Sequence, residues 1–213
     1  QFANYIGAKH AVMFNSGSSA NLALIAAARY MKGSLLQPGD EVIVPAVSWS
    51  TTYYPIHQHE LILTFVDIDI ETLNIDLSKI EEALTPRTKA IFAVNLLGNP
   101  CDLKALREFA KNKGLILLED NCESQGTKFK GTKLGNFGLM SSFSTYFGHT
   151  MSTIEGGIIS TNDDEIYNTL LQLRSHGWDR DLSSEKQQEL IDKKEALITE
   201  KKEELANKVE EKK

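Results

Sequence analysis

Cysteine is nearly absent from this sequence, which carries only Cys101 and Cys122. Neither lies in a Cys-x-x-Cys pair or beside a histidine cluster, so no metal site is expected, and two free, reduced thiols suit a cytoplasmic chain. No apolar run approaches the roughly 20 residues that span a bilayer, and no charged-then-apolar leader opens the chain. The sequence starts at Gln1, inside what reads as the end of a helix, and is expected to be an excerpt of a longer protein. Positive charge is also scarce: 23 Lys and Arg against 29 Asp and Glu give a formal net charge of -6. That balance offers no broad basic surface for nucleic acid, although helix ends and local donors can still hold a phosphorylated ligand. One further absence is local, since no lysine occurs between Lys133 and Gly157.

The 213 residues suffice for one sizeable core, or for one large domain with an appendage. Hydrophobic residues at 41% and charged residues at 24% describe an ordinary soluble globular protein. Short apolar strands are expected at Ala11–Phe14, Glu41–Pro45, Leu61–Val66, Lys89–Val94 and Leu115–Asp120, and Ser141 opens another. Helices are expected from Ala20 to Met31, from Asp76 or Ser78 to Leu84, from Asp102 to a stop at Gly114, and from about Asp163 to Ser175. Buried strands without alternation, separated by helices, predict an α/β fold: three α/β/α layers around a mostly parallel sheet, with ligands at the strands' carboxyl ends. Residues 1–182 form this unit. Beyond His176-Gly177-Trp178 the composition shifts, and residues 183–213 read as a Glu/Lys-rich helical tail with a thin stripe of Leu190, Leu197, Ile198, Leu205 and Val209.

Several motifs carry both a functional and a plain structural meaning. Asn15-Ser16-Gly17-Ser18-Ser19 joins a strand to a helix, where backbone N–H groups face an anion; a small-residue helix cap is the plain alternative. Trp49, just past a strand, is either a stacking platform or a core side chain. Asp120 ends the strand Leu115–Asp120 as a buried carboxylate or as a cap, and Glu123 follows three residues later. His149 stands six residues before Glu155-Gly156-Gly157, a glycine pair that permits close backbone approach. His57 and His59 read as surface residues, and Cys122 as a packed thiol.

Together and in this order, the motifs resemble the sugar aminotransferases of the fold type I pyridoxal-phosphate enzymes, the family named after DegT, DnrJ, EryC and StrS. The resemblance runs from Phe2 to about Leu182 and leaves out the family's first segment and small domain. It implies that Gly17, Ser18 and Ser144 hold the phosphate of pyridoxal 5'-phosphate or pyridoxamine 5'-phosphate. It further implies that Trp49 stacks on the pyridine, Asp120 pairs with its nitrogen and Glu123 contacts its hydroxyl. The family's Schiff-base lysine falls at His149, and imidazole cannot condense with the cofactor's aldehyde as a primary amine can.

Within the family, histidine at that position marks sugar 3-dehydratases. The resemblance therefore implies 3-dehydration of a nucleotide-linked 4-keto-6-deoxy sugar with glutamate as amino donor, in deoxysugar and lipopolysaccharide biosynthesis, by a cytoplasmic homodimer with His149 as catalytic acid or base. A CDP-sugar 3-dehydrase working with an iron–sulfur reductase, a 4-amino-sugar transaminase and an inactive scaffold of the same fold are the alternatives.

Overall fold

A computed structural model describes residues 1–210. In chain order the elements are α1 (Phe2–Ile6), β1 (His10–Phe14), α2 (Gly17–Tyr30), β2 (Glu41–Pro45), α3 (Ser50–Gln58), β3 (Ile62–Val66), α4 (Leu77–Ile80), β4 (Thr88–Val94) and α5 (Leu103–Lys113). They continue with β5 (Ile116–Asp120), the small hairpin β6 (Lys128–Phe129) and β7 (Thr132–Lys133), β8 (Met140–Ser144), β9 (Gly157–Thr161), α6 (Asp164–Arg174) and α7 (Ser184–Glu210).

Seven strands form one sheet in the order β1-β9-β8-β5-β4-β2-β3. Pairing is parallel from β3 through β8, and β9 runs antiparallel to both β8 and β1. Successive strand residues point to opposite faces, and both faces are covered. Val42, Val44, Ala90 and Phe92 pack with the buried sides of α2, α3 and α6, whereas Ile43, Ile91 and Ala93 pack with Ile80 of α4 and with Leu103, Leu106 and Ala110 of α5. The result is the three-layer α/β/α architecture with a mostly parallel sheet.

Local chemistry sets the helix ends. Side-chain oxygens of Ser16, Asp76, Asp102 and Asp163 accept the N–H groups of Ser19, Ser78, Ala105 and Ile166, and Gly114 closes α5 at φ 67°. Because Ser16 is the cap, α2 begins at Gly17, three residues before the expected Ala20. The helix expected from Asp76 to Leu84 is one α-helical turn continued by a 3-10 turn over Glu81–Ala83. The hairpin β6–β7 and the strand β9 are additions to the sequence-based expectation.

One expectation needs correction. His59 is half-buried rather than a surface residue: its ring meets Tyr30 edge-on at 5.5 Å, and Nε2 has no hydrogen-bond partner among the described residues. Burial, with the Arg29 charge adding to it, pulls its pKa below the ordinary value. Of the tail stripe, Leu197, Ile198 and Leu205 are exposed, as is the neighbouring Ile191, whereas Leu190 packs against the core and Lys186 bridges Glu165 at 3.1 Å. The side chain of Val209 lies outside the described residues. Truncation after Leu190 should therefore shift stability by no more than about 0.5 kcal/mol, whereas removing Leu190 as well should cost about 2 kcal/mol. Thermal unfolding of the two truncations checks this difference.

Gly157 sits where β9 passes behind the β1–α2 turn, and a Cβ there would overlap the Ser16 carbonyl and the Gly17 nitrogen. Gly157→Ala should destabilise by about 2 kcal/mol, read as a lowered melting temperature, because both atoms it meets are backbone and cannot rotate away.

Candidate active site

The carboxyl ends of β2, β4, β5 and β8 open onto one cavity of about 550 Å³. Each strand delivers its part of the wall at or just beyond its last residue: Ser48 and Trp49 after β2, Val94 and Leu96 at β4, Asp120, Cys122 and Glu123 at β5, and Ser144, Tyr146 and His149 at β8. The seven residues singled out from sequence, Gly17, Ser18, Trp49, Asp120, Glu123, Ser144 and His149, all line it.

At one end of the cavity α2 begins. Ser16 uses its side chain and carbonyl to bind the N–H groups of Ser19 and Ala20, and the first helical amides, Gly17 and Ser18, have no helical carbonyl to pair with. Those amides and the helix dipole favour an anion. Gly17 abuts Ser144: a Cβ on Gly17 would stand 2.6 Å from the Ser144 Cβ and 2.9 Å from its Oγ. Ser144 is buried, and its Oγ accepts the Tyr146 N–H at 3.3 Å.

Asp120, 4% exposed, occupies the floor. Its Oδ2 accepts Asn21 Nδ2 at 2.9 Å and Thr52 Oγ1 at 2.8 Å, and its Oδ1 accepts the Cys122 N–H at 3.1 Å. Three donors offset the cost of burying a carboxylate. Glu123 accepts the Leu97 N–H at 2.8 Å, which steadies Leu97 at its positive φ of 52°. Burial, followed by the Asp120 charge, pushes the Cys122 thiol well above its usual range, which disfavours the thiolate a nucleophile needs.

Trp49 is 71% exposed at the N-cap of α3, which excludes the core alternative and leaves its face available on the cavity wall. His149 is half-buried, its N–H bonded to the Tyr146 carbonyl at 3.0 Å and its ring edge-on to Tyr146 at 5.9 Å. Among the described residues lining the cavity the ionisable groups are acidic, apart from His149, Tyr146 and the thiol of Cys122; no lysine or arginine is among them. No cluster of three or more metal-ligating side chains occurs among the described residues, and no helix there is long and apolar enough to cross a membrane.

Residues 1–197 match the model of the DegT/DnrJ/EryC1/StrS aminotransferase family. The chain belongs to this family. Against the GDP-4-keto-6-deoxy-D-mannose 3-dehydratase of Yersinia pseudotuberculosis it is 54% identical over 181 residues, covering 85% of this chain and 46% of the relative. Among solved structures, the E. coli GDP-4-keto-6-deoxy-D-mannose-3-dehydratase with bound hydrated PLP superposes with a TM-score of 0.84 at 54% identity, covering 86% of this chain and 47% of that one. A further structure, of GDP-4-keto-6-deoxymannose-3-dehydratase with a trapped PLP-glutamate geminal diamine, matches with the same TM-score of 0.84 and 54% identity over 86% of this chain and 47% of that one. The chain thus spans about half the length of the relatives it matches.

Asn21, Ser48, Thr52 and Tyr146 escaped sequence reasoning. A signal existed for Asn21, a lone amide on the buried side of an alanine-rich helix, where only a polar partner makes it tolerable. Thr52 gave none, since it stands in a run of hydroxyl residues.

Proposed function

We propose that this chain is the cofactor-binding part of a nucleotide-sugar 3-dehydratase of the family, acting on a GDP-linked 4-keto-6-deoxy sugar with glutamate as amino donor. The observation that carries the proposal is His149 on the wall of a cavity floored by Asp120 and lined by no lysine among the described residues. The reading takes residues 1–182 as the pyridoxal-phosphate-binding domain and residues 183–213 as an appended tail, in a cytoplasmic homodimer. Glutamate, a sugar diphosphate and the cofactor's phosphate are all anionic. A cavity wall without Lys or Arg among the described residues supports a second subunit as the source of cations.

The residues present fit pyridoxamine 5'-phosphate. The glycine at 17 lets the start of α2 approach Ser144 closely, since a Cβ there would stand 2.6 Å from the Ser144 Cβ, and this brings the free amides of Gly17 and Ser18 and the Ser144 hydroxyl to the same end of the cavity. In this reading Gly17, Ser18 and Ser144 bind the phosphate, Trp49 covers one ring face, Asp120 accepts from the ring nitrogen and Glu123 meets the ring hydroxyl. The bound group would supply an amine for the ketone and a ring that accepts electrons. His149 is the proton carrier: its neutral nitrogen takes a proton from the reacting centre, and the imidazolium delivers one to the hydroxyl leaving carbon 3 of the sugar. The totals balance without net water. Glutamate is oxidised to 2-oxoglutarate and ammonia, and the sugar loses one oxygen at carbon 3.

A lysine at position 149 would tie the cofactor to the protein; histidine leaves it non-covalently held. Borohydride treatment of the protein loaded with pyridoxal phosphate, followed by mass spectrometry, should find no pyridoxyl group on any lysine at stoichiometric yield. A stoichiometric adduct would overturn the proposal.

A further inference from the structure

Around Asp120 runs a line of buried polar side chains contributed by four different elements. Asn21 comes from the second turn of α2, Thr52 from the first turn of α3, Asp120 from the end of β5, and Ser142 from β8 in direct register with Asp120. Asn21, Thr52 and Ser142 are each at most 1% exposed, so every donor and acceptor among them must be used internally.

The proton directions follow from the chemistry of the groups. A carboxylate only accepts, so Asn21 must present its NH₂ to Oδ2 (2.9 Å), and its carbonyl oxygen then accepts the Ser142 hydroxyl at 2.5 Å. Thr52 has one hydroxyl proton and gives it to the same Oδ2 at 2.8 Å, so Ser48, 3.1 Å away, must donate to Thr52. Both chains therefore push hydrogen-bond donation toward one oxygen. Oδ1 accepts the Cys122 N–H at 3.1 Å and retains accepting capacity.

We infer that Asn21 and Thr52 are positioning residues that clamp Oδ2 of Asp120 and hold the carboxylate in its orientation for the pyridine nitrogen, with Ser142 and Ser48 fixing the clamp's polarity. The inference rests on the cofactor reading above. A carboxylate gripped by two side-chain donors loses rotational freedom before the ligand arrives.

The test compares two ligands by fluorescence titration: pyridoxamine 5'-phosphate and its 1-deaza analogue, in which carbon replaces the ring nitrogen. The unsubstituted protein should bind the natural ligand roughly ten-fold tighter than the analogue, one charge-assisted hydrogen bond's difference. Thr52→Val keeps shape and removes the donor. It should erase most of that gap while leaving the analogue's affinity unchanged, and Thr52→Ser should restore the gap. Asn21→Leu should act in the same direction. A gap that survives Thr52→Val, or a variant that weakens both ligands equally, would overturn the inference while leaving the cofactor reading standing. If the unsubstituted protein binds neither ligand, the cofactor reading fails and the inference with it.

Discussion

His149→Asn should lose turnover by roughly 10²- to 10⁴-fold, the usual worth of a positioned proton carrier, with little change in melting temperature. Asparagine keeps a hydrogen-bonding end in the cavity but does not titrate near neutrality, so both the glutamate half of the reaction and the loss of the sugar hydroxyl should stall. The side chain is half-buried, and its backbone N–H bond to Tyr146 does not depend on the imidazole, which is why the fold should survive. His149→Lys restores a primary amine at the same position. It should gain a borohydride-reducible link to the cofactor and divert product from the deoxy sugar toward a 4-amino sugar. Steady-state assays and product analysis on the two variants check both statements; normal ammonia release by His149→Asn would place the base elsewhere.

The second large effect concerns stability. Glu119 is fully buried in β5, and its two oxygens organise the loop that leads into β8. One accepts the N–H groups of Phe137 and Gly138 at 2.8 and 2.7 Å, and the other accepts the Gly135 N–H at 2.9 Å and Asn121 Nδ2 at 3.3 Å. Glu119→Gln preserves size but turns one accepting end into a donor, so an NH₂ group must face backbone N–H groups whichever way the amide lies. The expected loss is about 3 kcal/mol, or roughly 6 to 12 °C in melting temperature for a chain of this size. A loss under about 1 °C would show that the loop is held by other contacts. Through Asn121, which Glu119 and Ser141 both bind, the same change should loosen the strand end that carries Asp120.

Glu119 also marks the limit of what the sequence discloses. Leu115–Asp120 reads as an apolar strand ending in two carboxylates, and nothing local separates the two. Alternation across the sheet assigns Asp120 to the cavity floor and Glu119 to a buried loop clamp, and that difference depends on the neighbour β8, some 20 residues away in the chain. The parallel units were legible because their strands are continuous apolar runs and their helices carry Asp and Ser caps. The strand β9 was not, because Gly157-Ile158-Ile159-Ser160-Thr161 is short and its interior place in the sheet comes from pairing with β8 on one side and the far N-terminal β1 on the other. The seven candidate site residues could be named because each lies at or beyond a strand end in an order that a known family shares. Asn21 and Thr52 reach Asp120 across sequence separations of 99 and 68 residues, so their role becomes visible only in three dimensions.

The central claim is that the cavity deoxygenates a sugar rather than aminating it. The most direct measurement incubates the protein with pyridoxal phosphate, glutamate and GDP-4-keto-6-deoxymannose and quantifies 2-oxoglutarate, ammonia and the sugar product together. Dehydration with His149 as proton carrier predicts one ammonia for each 2-oxoglutarate and a 3-deoxy-4-keto sugar carrying no nitrogen. Formation of 2-oxoglutarate without ammonia, with the nitrogen recovered at carbon 4 of a sugar that keeps its carbon 3 hydroxyl, would contradict it.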